Sequence, residues 1–168
     1  MLEQYLSRMG WFALLVGMQV FVFNHVHIFG YATPFPYIFF LLSLPSATPR
    51  WVYVLLGFAL GLTIDLFTNT PGMAAGATCL LGLLVPPLLR LFGPTDAEEE
   101  AFTPSPRSME WGPYVRYVVV ASLLHGAAFF AMEAFTVREW QSLLATVGAS
   151  GLLTSLLVIS LHLISHRK

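Results

Sequence analysis

Between Trp51 and Phe67 the chain carries one charged side chain, Asp65, in a run that is otherwise apolar apart from Thr63. A helix needs about 20 such residues to cross a bilayer, with about 17–25 tolerated. In hydrocarbon a backbone must satisfy its own polar groups, so a run of this kind is a helix. Helical side chains four apart stack on one face. Gly57, Gly61 and Asp65 therefore form one stripe. Small residues let a second backbone come close, and an acid within a membrane demands a partner. The stripe reads as a helix-packing seam that ends in a polar contact point.

The rest of the chain repeats the pattern. It is 57% hydrophobic and 10% charged, with a mean hydropathy of +0.73, whereas soluble domains carry about 25% charged residues. We expect an all-α polytopic membrane protein, one integral-membrane domain over residues 1–168, with six crossings. These fall at about 9–28, 33–46, 51–67, 72–92, 114–135 and 141–165. In the second, the uninterrupted apolar core from Tyr37 to Leu44 is short and bounded by Pro34, Pro36 and Pro45, which predicts a short, tilted or partly irregular span. In the fourth, Pro86-Pro87 removes two donors and should kink or break the helix. The start of the chain lacks the basic leader and small-residue cleavage site of a signal peptide, so the first span is expected to stay.

Lys and Arg in short loops set orientation. With the N-terminus cytoplasmic, Arg8, Arg50, Arg90, Arg107, Arg116, Arg167 and Lys168 fall inside, and only Arg138 outside. Both termini are then cytoplasmic, and an odd number of crossings would spoil the bias. Trp11, Trp51, Trp111 and Trp140 fall near predicted helix ends, as an aromatic belt requires. Thr68-Asn69-Thr70-Pro71 makes a tight outer hairpin, with Pro71 and Gly72 suited to a helix start. The inner linker, about 93–113, is rich in Pro and carries Asp96, Glu98, Glu99 and Glu100, which predicts a loosely ordered, solvated segment.

The polar residues inside the spans are few. Asp65 and Glu133 sit at a similar depth toward the outer side; either they line an outward cavity or partner interface, or they cap helix ends and reach the headgroups. His125 is mid-span and suits either a proton relay or, more simply, a neutral histidine bonded to a neighbouring helix. His25 and His27 diverge by roughly 200° if helical, which argues against a shared metal. No nucleophile elbow, zinc-protease motif or phosphate-binding loop is present, so no catalytic residue, metal or cofactor is assigned. A net charge of -1 gives no electrostatic case for nucleic acid. The single Cys79 excludes an internal disulfide. Gly72 and Gly76 repeat the four-residue spacing, and Gly148, Gly151 and Ser155 give the last helix a small-residue patch.

Taken with these features, the run from Gly57 to Leu62, then Asp65-Leu66-Phe67, then Asn69-Thr70-Pro71-Gly72 opening the next helix, resembles the rod shape-determining MreD family of bacterial inner-membrane proteins. The connection from Leu44-Pro45 to Arg50-Trp51 resembles Bacteroidota-type members, and the likeness extends over nearly the full length in size and span count. The resemblance implies a non-enzymatic scaffold of the cell-elongation machinery that inserts peptidoglycan. Its direct partner would be MreC, a single-span protein with a periplasmic domain. MreB and a SEDS-type glycosyltransferase with its transpeptidase would be indirect partners. It also implies a fold similar to the six-helix substrate-binding subunits of energy-coupling-factor transporters. A small-ligand-binding subunit of such a transporter is the alternative function. For the scaffold, the expected partner and packing surfaces are the Gly57, Gly61 and Asp65 stripe and the Gly72 and Gly76 stripe.

Overall fold

A computed structural model describes residues 2–23, 32–94, 101–133 and 140–165. Its elements are α1 (Leu2–Phe21), a 3₁₀ turn (Pro36–Ile38) leading into the single-turn α2 (Phe39–Leu42), α3 (Arg50–Thr68), α4 (Met73–Phe92), α5 (Trp111–Glu133) and α6 (Trp140–Ser165). The described residues contain no strand. Four helices, α3 to α6, are long and apolar enough to cross a membrane; α1 contributes a shorter apolar stretch, Arg8–Phe21.

Three expectations about the elements need correction. The first helix starts at Leu2 and ends at Phe21, earlier at both ends than 9–28; Val22 and Phe23 follow it, and residues 24–28 of that span lie outside the described residues. Trp11 is consequently mid-helix, half-buried, with its ring 5.6 Å from that of Phe39. Second, of the kink or break expected at Pro86 and Pro87, the break does not occur: α4 is continuous through both. Two consecutive prolines forfeit only two ladder bonds, and close packing along the rest of the helix holds it together. Third, the linker is packed over 101–110. Ser46 N–H donates to the Phe102 carbonyl at 2.8 Å, and Phe102 N–H returns a bond to Ser46 Oγ at 2.9 Å. Met109 is buried in the core and α5 begins at Trp111, three residues before the expected start. Asp96, Glu98, Glu99 and Glu100 lie outside the described part.

The second apolar segment is the axis of the molecule. Only Pro36–Leu42 is helical, yet residues 34–42 are buried without a break. Neighbours surround it on several sides. Phe12 packs on Phe40 at 5.4 Å, and Gln19 Nε2 donates to the Pro34 carbonyl at 3.3 Å, so α1 runs antiparallel to it. Along α5, Phe130 meets Phe35, His125 meets Tyr37, and the Tyr117 hydroxyl donates to the Leu42 carbonyl; that helix is also antiparallel. Along α6, Ser150 and Thr154 serve Thr33 and Phe35, while His162 meets Phe39, a parallel arrangement. Irregular backbone survives at membrane depth only where protein encloses it.

These contacts put the starts of α3 and α5 and the ends of α4 and α6 at one end of the bundle. Exposed Arg8, Arg50, Arg90, Arg107 and Arg116 gather there. The α3–α4 turn lies at the other end.

Candidate functional site

The glycine stripe of α3 is occupied from within the chain. Along the α3–α4 pair, the most extensive helix contact in the fold, residues step by four in opposite directions: Tyr53 faces Gly82, Gly57 faces Thr78, Gly61 faces Ala74 and Asp65 faces the start of α4. A Cβ added to Gly57 would sit 2.5 Å from the Thr78 carbonyl oxygen, and one on Gly82 would sit 2.6 Å from that of Tyr53. A Cβ on Gly61 would overlap the Ala74 carbonyl and the Thr78 hydroxyl. Contact this close lets the Thr78 hydroxyl bridge helices: Oγ1 lies 2.6 Å from the Gly57 carbonyl and 2.7 Å from that of Ala74. In lipid there is little hydrophobic force between helices, so such packing and bonding must hold the pair.

Asp65 closes the seam. It is 4% exposed. Its Oδ1 accepts from Ala74 N–H at 3.0 Å and from the Thr70 hydroxyl at 2.8 Å. Its Oδ2 accepts from Ala75 N–H at 2.9 Å and Gly72 N–H at 3.1 Å. The first amides of a helix have no partner of their own, and an anion there also meets the positive end of the helix dipole. Asp65 therefore acts as an N-cap lent by the preceding helix. Two residues in the left-handed region make the turn, Asn69 (φ 56°) ending α3 and Gly72 (φ 87°) preceding α4. Asp65 thus caps a helix end, that of α4 rather than its own, but buried among these donors it does not reach outward to the headgroups.

The other expected residues separate. Gly72 has its backbone in the Asp65 cap and open space where a Cβ would go. Gly76 instead faces α5, and a Cβ added there would sit 2.8 Å from Met132 Sδ. They do not form one packing stripe, because Gly72 precedes the helix. Glu133 is exposed at the end of α5. His125 is buried, and its Nε2 and Tyr37 Oη are joined at 3.1 Å, so it is bonded to a neighbouring element. The Phe35 ring lies 5.1 Å away and that of Phe129 6.4 Å away. His125 Nδ1, Ser122 Oγ and Gln19 Oε1 are buried with no hydrogen-bond partner among the described residues. Among those residues no cluster of His, Cys, Asp or Glu suits a metal. His25 and His27 lie outside them.

Sequence reasoning missed three polar residues that organise the centre, Tyr37, Thr78 and Thr154, and did not foresee that Ser150 serves a distant segment. Ser150 Oγ accepts from Thr33 N–H and Thr154 Oγ1 from Phe35 N–H, each at 3.0 Å. Ser150 and Thr154 are four apart, the spacing that puts two hydroxyls on one face, and that signal was available. With the seam closed on α4, α3 turns a ridge of large apolar side chains outward: Trp51, Leu55, Phe58, Leu62 and Leu66, between 41% and 76% exposed. No family model matches the chain, nor does any curated protein or solved structure.

Proposed function

We propose that this protein crosses the bacterial inner membrane six times, with both termini cytoplasmic, and serves as a non-enzymatic scaffold of the cell-elongation machinery, holding a single-span partner of the MreC type. MreB and the glycosyltransferase with its transpeptidase would be reached through that partner. One observation carries most of the reading: four polar side chains in the apolar part of the fold are spent on the chain's own backbone. Asp65 caps α4, Thr78 bridges α3 and α4, and Ser150 and Thr154 hold the central segment. A chain that uses its hydroxyls and carboxylate this way is built to be rigid, and rigidity is what a platform for other helices needs. The likeness to MreD in length, span pattern and the hairpin motif points the same way.

The seam moves the partner contact. Gly57 and Gly61 are filled by α4, so the surface left on α3 for a second protein is the outward ridge. Single cysteines at Leu55 and Leu62, in a Cys79→Ser background, should cross-link to the membrane helix of a co-expressed MreC-type partner. Correctly folded variants that cross-link neither from this ridge nor from Leu152 and Leu156 of α6 would reject the scaffold reading. Gly57→Leu is a poor test, because it breaks the internal pair first.

The three unpartnered buried polar atoms, on Gln19, Ser122 and His125, favour a second reading as a small-ligand subunit of a transporter. A vitamin co-purifying in stoichiometric amount would decide for it.

A further inference from the structure

We propose that a cleft at the arginine-bearing end of the bundle binds the phosphate of an anionic phospholipid. The cleft has a volume of about 250 Å³ and is lined by Ser105, Pro106, Arg107, Trp111, His162 and Leu163. It lies between the loop that precedes α5, the first turn of α5 and the last turns of α6.

Its floor and its rim differ in chemistry. Ser105 and His162 form a buried polar floor, 6% and 3% exposed. The His162 imidazole is set between the rings of Tyr114, at 5.1 Å, and Phe39, at 6.0 Å, which fixes its position. The rim carries Trp111 and Leu163, which are half exposed. Indole rings settle at the level of lipid headgroups, with alkyl side chains just below. A cleft with a polar floor and an apolar lip matches a headgroup phosphate joined to its glycerol and the first acyl carbons better than it matches a free ion.

Arg107 supplies the charge. It is exposed, and no carboxylate among the described residues pairs with it. Its loop is preset: Ser108 N–H donates to Ser105 Oγ at 3.0 Å, the Ser108 hydroxyl donates to the Thr103 carbonyl at 2.7 Å, and Phe102 is tied to Ser46. A guanidinium held on such a turn presents a planar fork that fits two phosphate oxygens. The positive end of α5, which starts at Trp111, adds to the same potential. Basic pockets on the cytoplasmic side of helix bundles take anionic headgroups for these reasons. The proposal does not depend on the scaffold reading.

The test is native mass spectrometry of the full-length detergent-purified protein, titrated with phosphatidylglycerol, phosphatidylcholine or inorganic phosphate. Wild type should retain phosphatidylglycerol in preference to phosphatidylcholine. Arg107→Gln should weaken that retention about fivefold, while Arg116→Gln, exposed on α5 and outside the cleft, should leave it near wild type. Circular dichroism and monodisperse elution establish that both variants are folded. Equal retention by Arg107→Gln and wild type overturns the proposal, as does equal loss in both variants, which would mean diffuse surface charge. Displacement of the lipid by an equimolar amount of inorganic phosphate would make the cleft a phosphate site and sink the lipid assignment.

Discussion

A single carboxylate and a few missing methyl groups decide how the α3–α4 hairpin is made. Asp65→Ala leaves three amides and the Thr70 hydroxyl without their acceptor. Buried donors left unpaired cost about 1–3 kcal/mol each, and the turn lies at a bundle end where water recovers part of that. We expect a net loss of about 3 kcal/mol, read as a lowered Tm in detergent. Gly61→Ala should also lower Tm, because its Cβ meets backbone that cannot give way. Gly17→Ala, with open space at the same position, should not. A wild-type Tm for either of the first two variants would refute this account. The stripe itself was legible in the sequence, since four-residue spacing is a local property. What filled it was not legible. Spacing says that a close neighbour is wanted, and only the register of α3 against α4 says that the neighbour is the next helix rather than a second protein.

At the level of elements, the long helices α3 to α6 were readable to within a few residues, because length and hydropathy suffice for them. The second segment was expected to be short, tilted or partly irregular, and the reason is now physical: only half of it is helical, and two amides ahead of its helical turns are met by hydroxyls more than a hundred residues away in sequence. No local pattern contains that information. The packed half of the linker was missed for a similar reason. Proline and serine there look like solvated chain, whereas Phe102 and Met109 anchor it to the core. Replacing Ser150 with Ala and Thr154 with Val together keeps the side-chain volumes close and removes both acceptors. Amide hydrogen exchange over residues 32–44 should then rise by at least tenfold, as expected from losing about 1–3 kcal/mol per bond, while amides of the α3–α4 seam keep their protection. Unchanged exchange in 32–44 would show that the two hydroxyls do not hold the segment.

For the whole molecule, the charge asymmetry read from the sequence and the contacts between elements agree on which ends lie together. Arg8, Arg50, Arg90, Arg107 and Arg116 come from four different helices and a loop, yet share one end. With that end cytoplasmic, a membrane-impermeant thiol reagent should label Pro71→Cys in intact cells and spare Ala47→Cys until the membrane is opened, both in a Cys79→Ser background. The opposite pattern would invert the proposed topology. The central segment then has a consequence for how the protein is made. Residues 33 and 35 leave the ribosome well over a hundred codons before Ser150 and Thr154. During that interval their amides have no acceptor from α6, and bare amides are not tolerated in hydrocarbon. The nascent chain must therefore keep this stretch at the water boundary or inside the insertion machinery, and admit it to the interior only when the last helix arrives. A ribosome stalled before codon 150 should yield a product whose residues 32–44 remain open to protease, and release of the finished chain should close them off.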